Sequence, residues 1–191
     1  MHAIDKYHPN SKKFNEVNID EDSISCMLFG GISKENNWRN ELTAALLDFS
    51  FMDNADNRYS KELVLINPYT TLELSEDIED NLSMYSSFKW DHFNGSKTTI
   101  KSFYFSETGE QNMSLLELGY WLSYHLNNEP NNLNTFVISI STGYSLHNRL
   151  VTYLKAILGE DRYNIMVNDL ANPSSHALAI YNAYKSLLTT Y

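Results

Sequence analysis

A serine and a glutamate three residues apart, Ser114 and Glu117, stand near the head of the segment Asn112-Met113-Ser114-Leu115-Leu116-Glu117-Leu118-Gly119-Tyr120. Two chemistries fit that spacing. As Ser-x-x-Glu it is a capping box, which satisfies the first backbone N–H groups of a helix and puts Glu117 in the first turn. As a reagent, Glu117 is a carboxylate at the carboxyl ends of parallel strands, where ligands bind in open α/β sheets, with leucines around it to limit water. A second acid stands upstream in Trp90-Asp91. Two carboxyl groups in one cleft drive their pKa values apart, so one stays ionised while the other carries a proton. The plain alternatives are a helix cap for Glu117 and a buried indole beside a solvated acid for Trp90-Asp91.

The elements that must position these residues alternate along the chain. Ile24 to Phe29 reads as a strand ended by Gly30-Gly31, followed by helical periodicity over Trp38 to Phe49. Glu62 to Ile66 is a second strand, stopped by Asn67-Pro68. Leu72 to Asn94 is read as helical, and Thr99 to Phe105 as a third strand. The central helix spans about Met113 to Asn127, followed by a turn-rich insertion, Asn127 to Asn134. Thr135 to Ile140 is a fourth strand, Leu146 to Leu158 a helix with Gly159 as its C-cap, and Tyr163 to Val167 a fifth strand. A last helix covers about His176 to Leu188. Strand–helix alternation predicts a parallel sheet with right-handed crossovers: an α/β, doubly wound (flavodoxin-like) five-stranded parallel sheet with helices on both faces. Residues 1–22, polar and ending in Asp20-Glu21-Asp22, read as a tail or peripheral arm, and 23–191 as a single domain.

A net charge of −10 and the lack of a basic patch argue against nucleic acid and anionic membrane surfaces as partners. A single cysteine, Cys26, excludes a disulfide framework and a cysteine-based zinc site. Neither a signal-peptide core nor a membrane-length apolar run is present, so a cytoplasmic protein is expected. The six histidines show no metal-ligand spacing, and neither a metal nor a cofactor is expected. His125, eight positions past Glu117, reads as surface or interface. Arg149, near the end of the fourth strand, could meet a phosphate or pair with one of the many acids. Gly30-Gly31 lacks the G-x-G-x-x-G and P-loop patterns and serves equally as a tight turn or a place of close ligand approach.

Taken together, Gly30-Gly31, Trp38-Arg39, Asn67-Pro68, Trp90-Asp91, Tyr104-Phe105 and Ser114-Leu115-Leu116-Glu117-Leu118-Gly119 form a set that resembles the nucleoside 2-deoxyribosyltransferase-like family. The resemblance covers residues 24 to 150 and is most specific from Trp90 to Gly119. It implies a doubly wound fold and cleavage of the bond between a nucleobase and a deoxyribose-type sugar. It implies Glu117 as nucleophile and Asp91 as the acid near the base. Gly30, Gly31, Asn67, Trp90 and Ser114 are then the expected substrate-binding residues. It further implies a small-molecule nucleoside or nucleotide as partner, and a homo-oligomer, for which Tyr120, Trp121 and Tyr124 on the central helix supply apolar surface. The chain departs from the family pattern at Gln111, where some members carry an acid, and at the insertion from Asn127. The alternative is a binding module of the same fold that holds a nucleotide-like ligand without turnover.

Overall fold

The computed structural model describes residues 4–5, 23–31, 38–53, 61–66, 99–109, 111–128 and 131–188. Among the described residues six strands form one sheet: β1 (Ile4–Asp5), β2 (Ser23–Gly30), β3 (Glu62–Ile66), β4 (Ile100–Phe105), β5 (Phe136–Ile140) and β6 (Val167–Asn168). Their order is β1-β3-β2-β4-β5-β6, and every pairing is parallel. Counted from β2, the last five strands run 2-1-3-4-5, the doubly wound order expected from the sequence. The two-residue β1, from within residues 1–22, adds an edge beside β3.

Four helices are described: α1 (Trp38–Asp53), α2 (Asn112–Asn128), α3 (His147–Met166) and α4 (Pro173–Leu188). The expected helix over Leu72 to Asn94 lies outside the described residues. The strands are near-continuous apolar runs because both sheet faces are covered. Ile24, Cys26 and Leu28 of β2 pack with α1 and α4 in one core layer, through Trp38, Leu42, Leu46, Ile180 and Tyr184. Met27 and Phe29 point to the other face and pack with Phe103, Ile138, Leu118, Trp121 and Leu154 from β4, β5, α2 and α3. Phe29 and Phe105, near the carboxyl ends of β2 and β4, are both fully buried core.

The C-terminal third corrects one expectation. Tyr163–Val167 is not a strand: the helix continues to Met166, and only Val167–Asn168 pairs with β5. Tyr163 and Met166 are buried, three apart, while Ile165 between them is exposed, so the run has a helical and not an alternating face. Gly159 does interrupt the helix, with φ 72° and ψ 166°, a positive φ that favours glycine, but not in the left-handed helical conformation of a glycine C-cap. The chain then re-enters helix for its last turns instead of crossing to the sheet.

Candidate functional site

In a 2-1-3-4-5 sheet the chain winds in opposite directions from the gap between β2 and β4, and ligands bind at the carboxyl ends beside that gap. Here the gap is closed by side chains of the protein itself. The Gly31 N–H donates to Gln111 Oε1 at 2.7 Å. Gln111 Nε2 donates to Ser106 Oγ at 2.9 Å and to the Thr108 carbonyl at 3.3 Å, while the Ser106 hydroxyl donates to the same carbonyl at 2.7 Å. One amide thus ties the end of β2 to the end of β4 and to the loop before α2. On the other side, Trp38 Nε1 donates to the Gly31 carbonyl at 3.1 Å, and the buried Arg39 guanidinium donates to the carbonyls of Gly30 (2.9 Å) and Gly31 (3.2 Å). The guanidinium also lies over the Trp38 ring, 4.3 Å from its centroid.

These contacts explain the glycine pair. A Cβ on Gly30 would strike the Tyr104 carbonyl and the Trp38 ring, and a Cβ on Gly31 would strike the Gln111 amide. The close approach the glycines permit is to their own protein. Asn67, Trp90 and Asp91 lie outside the described residues.

The capping-box reading of Ser114 and Glu117 is corrected. The helix begins three residues earlier than a Ser114 cap requires, at Asn112, and the Leu115 N–H bonds the Gln111 carbonyl at 3.0 Å. Glu117 therefore sits in the second turn, and the first turn carries no acid. The physical reason is Gln111: its side chain anchors the entry to the helix in the interior, so the helix starts directly after it. Ser114 and Glu117 are carried onto the sheet-facing side, in the buried row Ser114, Glu117, Leu118, Trp121, Leu122 and His125. Glu117 is only 5% exposed. It lies six residues past Gln111, about 9 Å along the helix axis. His125 is likewise buried, its ring 5.3 Å from that of Phe136, and not on the surface as expected. No protein-family model matches the chain, and no curated protein matches it.

A second polar cluster went unseen in the sequence. His176, completely buried at the start of α4, places Nε2 2.8 Å from Ser102 Oγ on β4 and Nδ1 2.7 Å from Ser139 Oγ on β5. Tyr104 stacks on its ring at 5.2 Å, and Trp38 meets it edge-on at 6.0 Å. Burial pushes the imidazole pKa down to about 3, so the ring is neutral, accepting from one hydroxyl and donating to the other. Ser102 also hydrogen-bonds the buried Cys26, whose thiol burial holds well above the ordinary range and thus unreactive. The signal was available: Cys26, Ser102 and Ser139 are small polar residues in the middle of apolar strands, and such groups need a buried partner. Among the described residues, no cluster of three or more His, Cys, Asp or Glu is placed to hold a metal, and no helix is long and apolar enough to cross a membrane.

Proposed function

We propose that the protein cleaves or transfers the N-glycosidic bond of a 2′-deoxynucleoside or deoxynucleotide, as a nucleoside 2-deoxyribosyltransferase-like enzyme. The observation that carries the reading is the Glu117 carboxylate, buried on the sheet-facing side of the helix that begins at the carboxyl end of β4. N-glycoside cleavage builds positive charge on the sugar carbon, and a carboxylate sheltered from water stabilises that charge and can bond to the carbon. The C–N bond breaks as the Glu117–carbon bond forms; the base leaves with a proton, for which Asp91 is the proposed donor. A second base or water then releases the sugar. Exposed Leu116, Tyr120 and Tyr124 on the outer side of α2 support a homo-oligomer, with Trp121 assigned to the core.

The low exposure of Glu117 also favours a second reading, a nucleotide-like ligand bound without turnover, because a nucleophile must reach the sugar carbon. One variant separates them. Deoxynucleosides and deoxynucleotides are incubated with wild type and Glu117→Gln, with and without a free base, and base release is followed alongside mass spectrometry for a glycosyl adduct. The expected result is an adduct on the wild type and loss of orders of magnitude in rate in the variant. Equal turnover by both proteins overturns the nucleophile assignment. Binding by the wild type without base release from any substrate selects the second reading.

A further inference from the structure

The outer face of α2 carries no charge. Leu116, Tyr120 and Tyr124 form a row at four-residue spacing, 67%, 47% and 39% exposed, and Gly119 and Ser123 form a second exposed row beside it. Glu117 is the one Asp, Glu, Lys or Arg among the 17 residues of α2, and it lies on the buried side. Elsewhere such residues make up 20% of the chain. The tyrosines are held in place: the buried Trp121 ring meets Tyr120 edge-on at 5.0 Å and Tyr124 at 5.9 Å. A row fixed in this way loses little side-chain freedom on binding.

Gly119 is the independent observation. It lies in regular helix near the middle of α2, and a Cβ built on it would meet nothing within 4 Å among the described residues. Neither its backbone nor a described neighbour requires a glycine, yet glycine weakens a helix interior relative to alanine. What the missing Cβ permits is the close approach of another backbone. The occupant must also suit a face without charge. A strongly basic or acidic partner would find no counter-charge there. Two copies of a chain with net charge −10 repel wherever their acids meet, and on this face none would meet. The face is self-complementary as well. The large row of one copy fits the small row of the other when two such ridges interlock, at a crossing angle of about −50°.

We propose that two copies of the chain pack α2 against α2 about a two-fold axis, with the helices crossing at Gly119. This gives the homo-oligomer proposed above its partner, face and symmetry, and rests on that reading. The helix is about 25 Å long, and one helix pair alone falls short of the roughly 1,200 Å² that stable interfaces bury. Exposed Tyr153 and Ile157 on α3, which packs in the same core layer as α2, add apolar surface beside it. The dimer is therefore expected to be reversible. Sedimentation equilibrium of the full chain from micromolar to near-millimolar concentration should show a monomer–dimer equilibrium. Gly119→Met fills the groove with a good helix former. It is expected to keep or raise the urea midpoint while weakening dimerisation by about tenfold or more. Leu116→Glu sets an acid against the partner copy, is expected to weaken the dimer as much, and decides the matter if Gly119→Met lowers the midpoint. A monomer at every concentration overturns the proposal together with the homo-oligomer reading. An oligomer that the deciding variant leaves unchanged overturns the α2 contact alone and moves the homo-oligomer to another face. Base release plays no part in this readout, so the result stands apart from the Glu117 test.

Discussion

The indole of Trp38 stands between two polar clusters of unlike chemistry. Its Nε1 donates into the Gly31 carbonyl, at the edge where Gln111, Ser106 and Arg39 close the gap between β2 and β4. The edge of its ring meets His176, which joins Ser102 and Ser139 inside the layer between the sheet and α4. The edge cluster is built from main-chain groups, one amide, one hydroxyl and a guanidinium that stays charged at any ordinary pH. The inner cluster turns on an imidazole that must stay neutral. Both bind strands to helices through hydrogen bonds, but only the inner one can be broken by a proton.

The largest effect separating them is thus acid. In the unfolded chain His176 titrates near 6.5; in the folded protein it resists protonation down to about 3. Between those values the unfolded state binds the extra proton, so stability falls as pH drops below 6.5 and the loss stops growing below about 3. The slope is about 1.4 kcal/mol per pH unit, or about 3 kcal/mol by pH 4.5. Urea unfolding of wild type and His176→Leu across pH 4.5 to 7.5 checks it. The variant starts less stable, because two buried hydroxyls lose their partner, but the gap between the proteins should close as pH falls. A gap that stays constant would mean that the imidazole already carries its proton in the folded state.

Gly30→Ala comes next. Its Cβ meets the Tyr104 carbonyl and the Trp38 ring, neither of which is the free end of a flexible chain; the Trp38 ring itself and the side-chain ring of Tyr104 also contact His176. Overpacking of that kind costs about 1–3 kcal/mol. Because the strain reaches the inner cluster through Trp38, a double-mutant cycle of Gly30→Ala with His176→Leu should be non-additive. Additive losses would show that the clusters are energetically separate despite the shared indole.

What could be read in advance follows the range of the interactions. Strands buried on both faces announce themselves as apolar runs, and β3 matches its expected bounds of Glu62 to Ile66. The run Tyr163 to Val167 misled because a short apolar stretch suits a strand or one turn of buried helix equally, and only packing decides. Ser-x-x-Glu misled for a related reason. The residue that sets the start of α2 is Gln111, and its partner Gly31 lies eighty positions away. Gln111 did stand out in the sequence, but as a departure from a family pattern and not as the tie between two strands. The inner cluster draws on three strands and two helices, which no local pattern connects.

Gln111→Ala should remove that tie, leaving the Gly31 N–H and the Ser106 hydroxyl short of a partner in a buried setting, at about 1–3 kcal/mol by thermal or urea unfolding. Unlike the His176 variant, its loss should not change between pH 4.5 and 7.5, since no group in the edge cluster needs to be neutral.

The smallest and sharpest change is Gln111→Glu, which tests whether the amide is needed as an amide. A carboxylate can still accept the Gly31 N–H at the position of Oε1, and it can accept from the Ser106 hydroxyl if that hydroxyl turns away from the Thr108 carbonyl. It cannot donate to that carbonyl, which then faces an anion where Nε2 now stands 3.3 Å away. Arg39, already bonded to the Gly31 carbonyl, offers nearby positive charge that offsets part of this repulsion. The expected net loss is about 1 kcal/mol at pH 7.5, smaller than for Gln111→Ala. It should shrink as pH falls, because a protonated carboxyl regains one donor. A loss equal to that of Ala at every pH would show that donation to Ser106 and Thr108, and not the bond to Gly31, is what holds β2 and β4 together at this edge.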